Sequence, residues 1–130
     1  ALNEASISLE QVDYINTHGT STPIGDVAEV KAIQDLFGKH AYNISLTSSK
    51  SMMGHLLGGS GAVEAIISLL SMQHSMVTPT INHEEGDEDP KIDYKLNFTF
   101  NQAQSRDIHY AMSNNFGFGG HNACLLFKKL

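Results

Sequence analysis

Two histidines and one lysine stand in runs of small and polar residues, where a side chain that gives or holds a proton is most useful. Lys50 and His55 lie in Ser49–Lys50–Ser51–Met52–Met53–Gly54–His55, followed by Leu56–Leu57–Gly58–Gly59–Ser60–Gly61. An apolar run, Ala62–Leu70, comes next. Ala62, Val63, Ala65, Ile66, Ile67, Leu69 and Leu70 leave little polar face, so the pattern predicts a helix buried on most of its surface, ending near His74. Each glycine at its start costs about 1 kcal/mol relative to alanine. Their presence predicts that another backbone, or a substrate, comes very close there. Glu64 is a carboxylate inside that helix and needs a partner; Lys50 is the candidate. Such a pair would hold positive charge near His55 and disfavour the imidazolium. A neutral His55 could then donate a hydrogen bond to a developing enolate.

His18 belongs to a second loop, Thr17–His18–Gly19–Thr20–Ser21–Thr22–Pro23. Its neutral ring could donate at one nitrogen and accept at the other. Thr20 and Thr22 alternate, which in an extended segment puts both hydroxyls on one side, an arrangement suited to the amides of an elongated ligand. A third loop, Phe116–Gly117–Phe118–Gly119–Gly120, could turn its backbone N–H groups toward a ligand, with Phe116 and Phe118 lining an apolar cavity. Each loop also has a purely structural account: a histidine capping a strand end, a helix start with an exposed lysine, a tight turn packed by aromatics. Several familiar motifs fail. Gly117–Phe118–Gly119–Gly120–His121–Asn122 lacks the last glycine of a dinucleotide fingerprint. Gly58–Gly59–Ser60–Gly61–Ala62 misses the last glycine of a nucleophile elbow. The histidines show no metal-ligand spacing. Cys124, the single cysteine, sits in a predicted strand interior and reads as a small core residue rather than a nucleophile.

The elements that must position these loops follow from periodicity. Val12–Asn16 and Ile44–Thr47 read as short buried strands. Asp26 starts a helix in which Val27, Val30, Ile33, Leu36 and Phe37 fall at helical spacing, with Gly38 as its stop. Leu96–Phe100 alternates, but Asn97 and Asn101 weaken it as a strand. His109–Ser113 and Ala123–Phe127 read as two more strands. Strands alternating with helices predict an α/β fold with a largely parallel sheet, its chemical loops at the carboxyl ends of strands. The 130 residues suffice for one domain with a core. A net charge of −6 argues against a nucleic-acid partner, and the acidic run Glu84–Asp89 reads as a solvated loop. No apolar run reaches membrane-span length. One cysteine cannot form an internal disulfide, so a reducing, cytoplasmic compartment is expected. The chain starts at Ala1 without an initiator Met and reads as the tail of something longer.

Asn16–Asp26, Ser49–His55 and Asn115–Gly120, in this order, resemble β-ketoacyl-[acyl-carrier-protein] synthases, and among them the synthase II type of fatty-acid synthesis. The resemblance runs from about Val12 to Phe127 and covers the C-terminal part of such an enzyme. It implies a thiolase-like fold, two similar halves in an αβαβα sandwich, with residues 1–130 as the C-terminal half. It implies that an acyl group on a cysteine condenses with malonyl-carrier protein as carbon dioxide leaves. His18 and His55 match the catalytic histidines, Lys50 the active-site lysine and Glu64 its acidic partner. Thr20 and Thr22 match residues that bind the phosphopantetheine arm. Phe116 falls in the same substrate-binding motif as Phe118, which matches the gating phenylalanine whose N–H joins the oxyanion hole. The implied partners are acyl carrier protein, the N-terminal half and a second subunit. No metal or cofactor is implied beyond the carrier's phosphopantetheine. The nucleophilic cysteine lies in the other half, so the chain alone is expected to be inactive. His121 replaces a usual Thr, Met53 a common Thr, and Gly59–Ser60 two alanines, which bears on cavity shape. The alternatives are a polyketide ketosynthase domain and a non-catalytic module that only binds pantetheine or carrier protein; retention of both histidines argues against the latter.

Overall fold

A computed structural model describes residues 1–130. In chain order the elements are α1 (Leu2–Ala5), β1 (Tyr14–Asn16), α2 (Gly25–Phe37), β2 (Ser45–Thr47), α3 (Lys50–Met53), α4 (Ser60–His74), β3 (Met76–Val77), β4 (Gln104–Ser105), β5 (Tyr110–Gly117) and β6 (His121–Lys128). Every residue of β1 and β2 is buried, as expected of short strands covered on both faces. The main sheet runs β2-β1-β5-β6. β1 pairs in parallel with β2 and with β5, and β6 closes the edge antiparallel to β5. The expected alternation of strand and helix and the largely parallel sheet are therefore present.

Side-chain alternation along β1 and β5 divides the interior into two cores. On one face Ile15 and Met112 pack with Val30, Ile33 and Phe37 of α2. On the other, Tyr14 and Ala111 pack with Met72 of α4 and with Val77. The sheet thus lies between α2 and α4, an α/β/α layering. Leu96–Phe100 makes only isolated bridges, Asn97 to Ser45 and Phe100 to Thr80. The left-handed backbone of Thr99 and Asn101 prevents a longer ladder.

Four expectations need correction. First, the glycine-rich third loop is shorter than expected, because Phe116 and Gly117 belong to a strand. β5 extends to Gly117 and β6 begins at His121, so only Phe118–Gly119–Gly120 turn the chain. Positive φ at Gly119 and Gly120, 80° and 82°, makes so short a turn possible. Second, Cys124 is exposed on β6 rather than in the core, because β6 is an edge strand with little packed over it. Third, α4 turns a polar stripe inward. Ser60, Glu64, Ser68 and Ser71 are buried with Met72, while Ile66, Leu69 and Leu70 are about half exposed. Small hydroxyls let the helix approach the sheet closely, and Ser68 returns its hydrogen bond to the Glu64 carbonyl at 2.8 Å. Fourth, the glycines before α4 do not all mark a close approach. Only at Gly61 would a Cβ meet another element, the amide of Asn115 at 3.4 Å; at Gly58 nothing lies within 4 Å.

Candidate functional site

The carboxyl ends of β1 and β2 deliver the first two loops side by side. The Thr17 hydroxyl donates to the Thr47 carbonyl at 2.9 Å, and Ser48 Oγ donates to the Gly19 carbonyl at 2.7 Å. The approach at Gly19 is so tight that a Cβ there would lie 2.7 Å from that of Ser48. Asn16, the last residue of β1, donates to Ser49 Oγ at 2.7 Å and so ties the strand end to the start of α3.

This scaffold brings His18 and His55 together. Their ring centroids are 5.6 Å apart and the rings are nearly perpendicular. Phe116 lies against His18 at 5.4 Å. Partial burial, the charge of Lys50 and the neighbouring His55 push the His18 imidazole down to about 4, so His18 is neutral at pH 7. Its Nδ1 is buried without a hydrogen-bond partner. In His55, Nδ1 accepts the Leu57 N–H at 3.1 Å and lies 3.1 Å from Ser60 Oγ, which itself accepts the Leu56 N–H. With Nδ1 committed as acceptor, the proton of neutral His55 sits on Nε2.

Lys50 donates to Glu64 Oε1 at 2.5 Å, and both side chains are almost wholly buried. The pair expected from the sequence is present. A lysine held this way is a fixed positive charge beside the histidines rather than a free base. The Thr20 and Thr22 hydroxyls are 3.3 Å apart. They share a side because Ser21 takes a left-handed conformation, not because the segment is extended. A cleft of about 750 Å³ is lined by Thr20, Thr22, Lys50 and His55, together with Asn82 and His83. Phe118 is not brought to it. That residue stands at the hairpin tip with 95% of its surface exposed, and neither it nor Phe116 lines the cleft. No group of three or more His, Cys, Asp or Glu side chains could hold a metal ion, and no helix is long and apolar enough to cross a membrane.

Sequence reasoning missed Glu29, Ser60, Asn114 and Asn115. Glu29, 4% exposed, accepts the backbone N–H groups of His18 and Gly19, each at 2.9 Å, and Asn114 Nδ2 at 3.1 Å. Burial raises its carboxyl above the usual range despite those bonds. The argument applied to Glu64 would have found it: Glu29 precedes Val30 by one residue and Ile33 by four, inside the buried stripe of α2. Asn115 Nδ2 donates to Glu64 Oε2 at 3.1 Å. The asparagines carried no comparable sequence signal, since their stretch read as loop.

The family model "Beta-ketoacyl synthase, C-terminal domain" matches residues 1–84. The 3-oxoacyl-[acyl-carrier-protein] synthase 2 of Staphylococcus aureus (strain COL) is 53% identical over 129 residues, 99% of this chain and 30% of that protein. Its namesake in Synechocystis sp. is 48% identical with the same coverage. Among solved structures, a β-ketoacyl synthase from Burkholderia phymatum STM815 superposes with a TM-score of 0.90 at 39% identity, over all of this chain and 30% of its own. A type II polyketide ketosynthase, solved with its acyl-carrier protein and bound to a hexaketide, gives a TM-score of 0.93 at 35% identity, over all of this chain and 31% of its own. These neighbours are ketosynthases of thiolase-like fold, and the α/β layering described above is a part of it. The chain spans about three tenths of the length of the curated relatives it matches.

Proposed function

The chain belongs to the β-ketoacyl synthase C-terminal domain family, and on that basis we propose that it forms the C-terminal part of a 3-oxoacyl-[acyl-carrier-protein] synthase of fatty-acid elongation. The observation that carries the reading is the convergence of two imidazoles, 5.6 Å apart, beside a buried lysine. His18 and His55 each donate a hydrogen bond to the thioester oxygen of a malonyl group. The bond to the carboxylate breaks, carbon dioxide leaves, and its electron pair passes into an enolate whose oxygen the same N–H groups stabilise. The enolate carbon attacks an acyl thioester on a cysteine supplied by the N-terminal part, and the thiolate leaves. Lys50, fixed by Glu64, contributes positive potential without exchanging a proton.

Thr20 and Thr22 hold the amides of the carrier's phosphopantetheine arm along the cleft, which brings the substrate in without a resident cofactor. Phe116 borders the acyl site next to His18, and Phe118, on a glycine hinge at the hairpin tip, acts as the gate and supplies an oxyanion N–H. The partners are acyl carrier protein, the N-terminal part and a second subunit in a homodimer. The apolar side of α4 at Ile66, Leu69 and Leu70 is supporting evidence for burial against the N-terminal part. A reducing, cytoplasmic setting suits a reaction that needs a free thiol. Identities of 53% and 48% to synthase 2 enzymes, against 35% to the polyketide ketosynthase, favour fatty-acid over polyketide chemistry. The test is malonyl-carrier decarboxylation by the full-length protein. His18→Ala and His55→Ala should each lower it by about 10²–10³-fold, while acylation of the thiol persists. Wild-type decarboxylation in either variant would refute the reading.

A further inference from the structure

β5 lies next to β1 in the sheet, between the layers of α2 and α4, and its consecutive residues face opposite sides. Asn114 points to the α2 side and donates to Glu29 Oε1 at 3.1 Å. Asn115 points to the α4 side and donates to Glu64 Oε2 at 3.1 Å. Each amide thus meets a carboxylate that is at most 4% exposed. Glu29 holds the backbone of His18, and Glu64 holds Lys50. The next residue, Phe116, packs against the His18 ring.

We infer that Asn114 and Asn115 are positioning residues, and that through Glu29 and Glu64 they make β5 the strut that sets the spacing between His18 and Lys50. Neither asparagine touches substrate in the proposed reaction, on which this inference rests. Asn115 has a further constraint: its amide lies where a side chain on Gly61 would reach, at 3.4–3.6 Å. It is therefore wedged between the start of α4 and the Glu64 carboxylate. With Glu64 Oε2 occupied, Oε1 is left to face Lys50. Without the amide, Oε2 of the buried carboxylate has no donor, the group can rotate about its bond to Lys50, and the lysine charge moves with it.

The test uses the full-length protein with Asn115→Leu, which keeps the branching at Cγ and removes the donor, and Asn115→Asp, which keeps the shape and sets a second carboxylate against Glu64. The readout is the ratio of malonyl decarboxylation to thiol acylation. Partial unfolding lowers both rates together and leaves the ratio unchanged, so a merely structural role does not move it. The expected result is a ratio about 10-fold lower for Asn115→Leu, the size of a lost hydrogen bond to a charged group. Asn115→Asp should lower it at least as far, and Asn114→Leu should lower it through His18. An unchanged ratio in folded Asn115 variants overturns the inference while leaving the proposed reaction intact. Absence of decarboxylation in the wild-type protein overturns both.

Discussion

Replacing Glu29 by Gln removes one charge and reverses one hydrogen-bonding group. Three donors converge on the carboxylate: the N–H groups of His18 and Gly19, and the amide of Asn114. Glutamine keeps one acceptor oxygen, which can serve His18 and Asn114. Its NH2 then faces the Gly19 N–H, donor against donor. One hydrogen bond to a charged group is lost, worth roughly 1.5–3 kcal/mol. Against that, burial and the nearby Asp26 raise the Glu29 carboxyl, so a neutral side chain is easier to bury. The balance is a net loss of about 1–2 kcal/mol. The pH dependence has a definite sign. With its folded pKa raised, Glu29 binds a proton in the folded state before it does in the unfolded one. Wild-type stability therefore falls as pH rises from 4.5 through the raised folded value. Glu29→Gln lacks that slope, so its deficit should widen as pH falls toward 4.5. Thermal unfolding of the full-length protein at pH 8 and pH 5 measures both effects. Decarboxylation should drop as well, since a displacement of about 1 Å at His18 can cost about 100-fold. A variant as stable and as active as wild type would show that the carboxylate does not hold the His18 backbone.

Two further outcomes follow from the same geometry. Lys50→Met should cost about 3–5 kcal/mol, because Glu64 is left buried and uncompensated. The double variant Lys50→Met, Glu64→Leu should recover most of that in denaturant unfolding, and equal losses in both would contradict the buried pair. His18 should stay neutral until the pH nears 4. Since the unfolded chain takes up that proton first, near 6.5, its uptake lowers stability as pH falls from about 6.5 to about 4. Histidine-resolved NMR reads the titration directly, and a midpoint at or above 6 for His18 would refute the environment described.

The sheet and its helices were legible because their signals are local. Tyr14–Ile15–Asn16 and Ser45–Leu46–Thr47 are short runs bounded by turn residues, and each became a strand buried on both faces. Val30, Ile33 and Phe37 repeat at helical spacing and lie against the sheet. The Lys50–Glu64 contact spans fourteen residues yet was also legible. A carboxylate in an apolar helix needs a cation, and Lys50 stood in the adjoining polar run.

What escaped the sequence shares one physical cause: polar side chains whose partners come from another element. The three serines facing the sheet from α4 look like a solvent face and are buried, while Ile66, Leu69 and Leu70 look like a core face and are half exposed. Period alone fixes which residues share a face, not which face turns inward. That choice went to the side that could approach the sheet closely and satisfy Glu64. Asn114 and Asn115 pose the same problem in a strand. Beside Phe-Gly repeats they read as turn residues, because asparagine favours turns when nothing else claims its amide. Here two carboxylates claim them, one on each side of β5, and the strand runs on to Gly117. The ladder and the two side-chain bonds support each other. Breaking either amide contact should therefore loosen the end of β5 next to Phe116 before it disturbs the paired residues Ala111 and Met112.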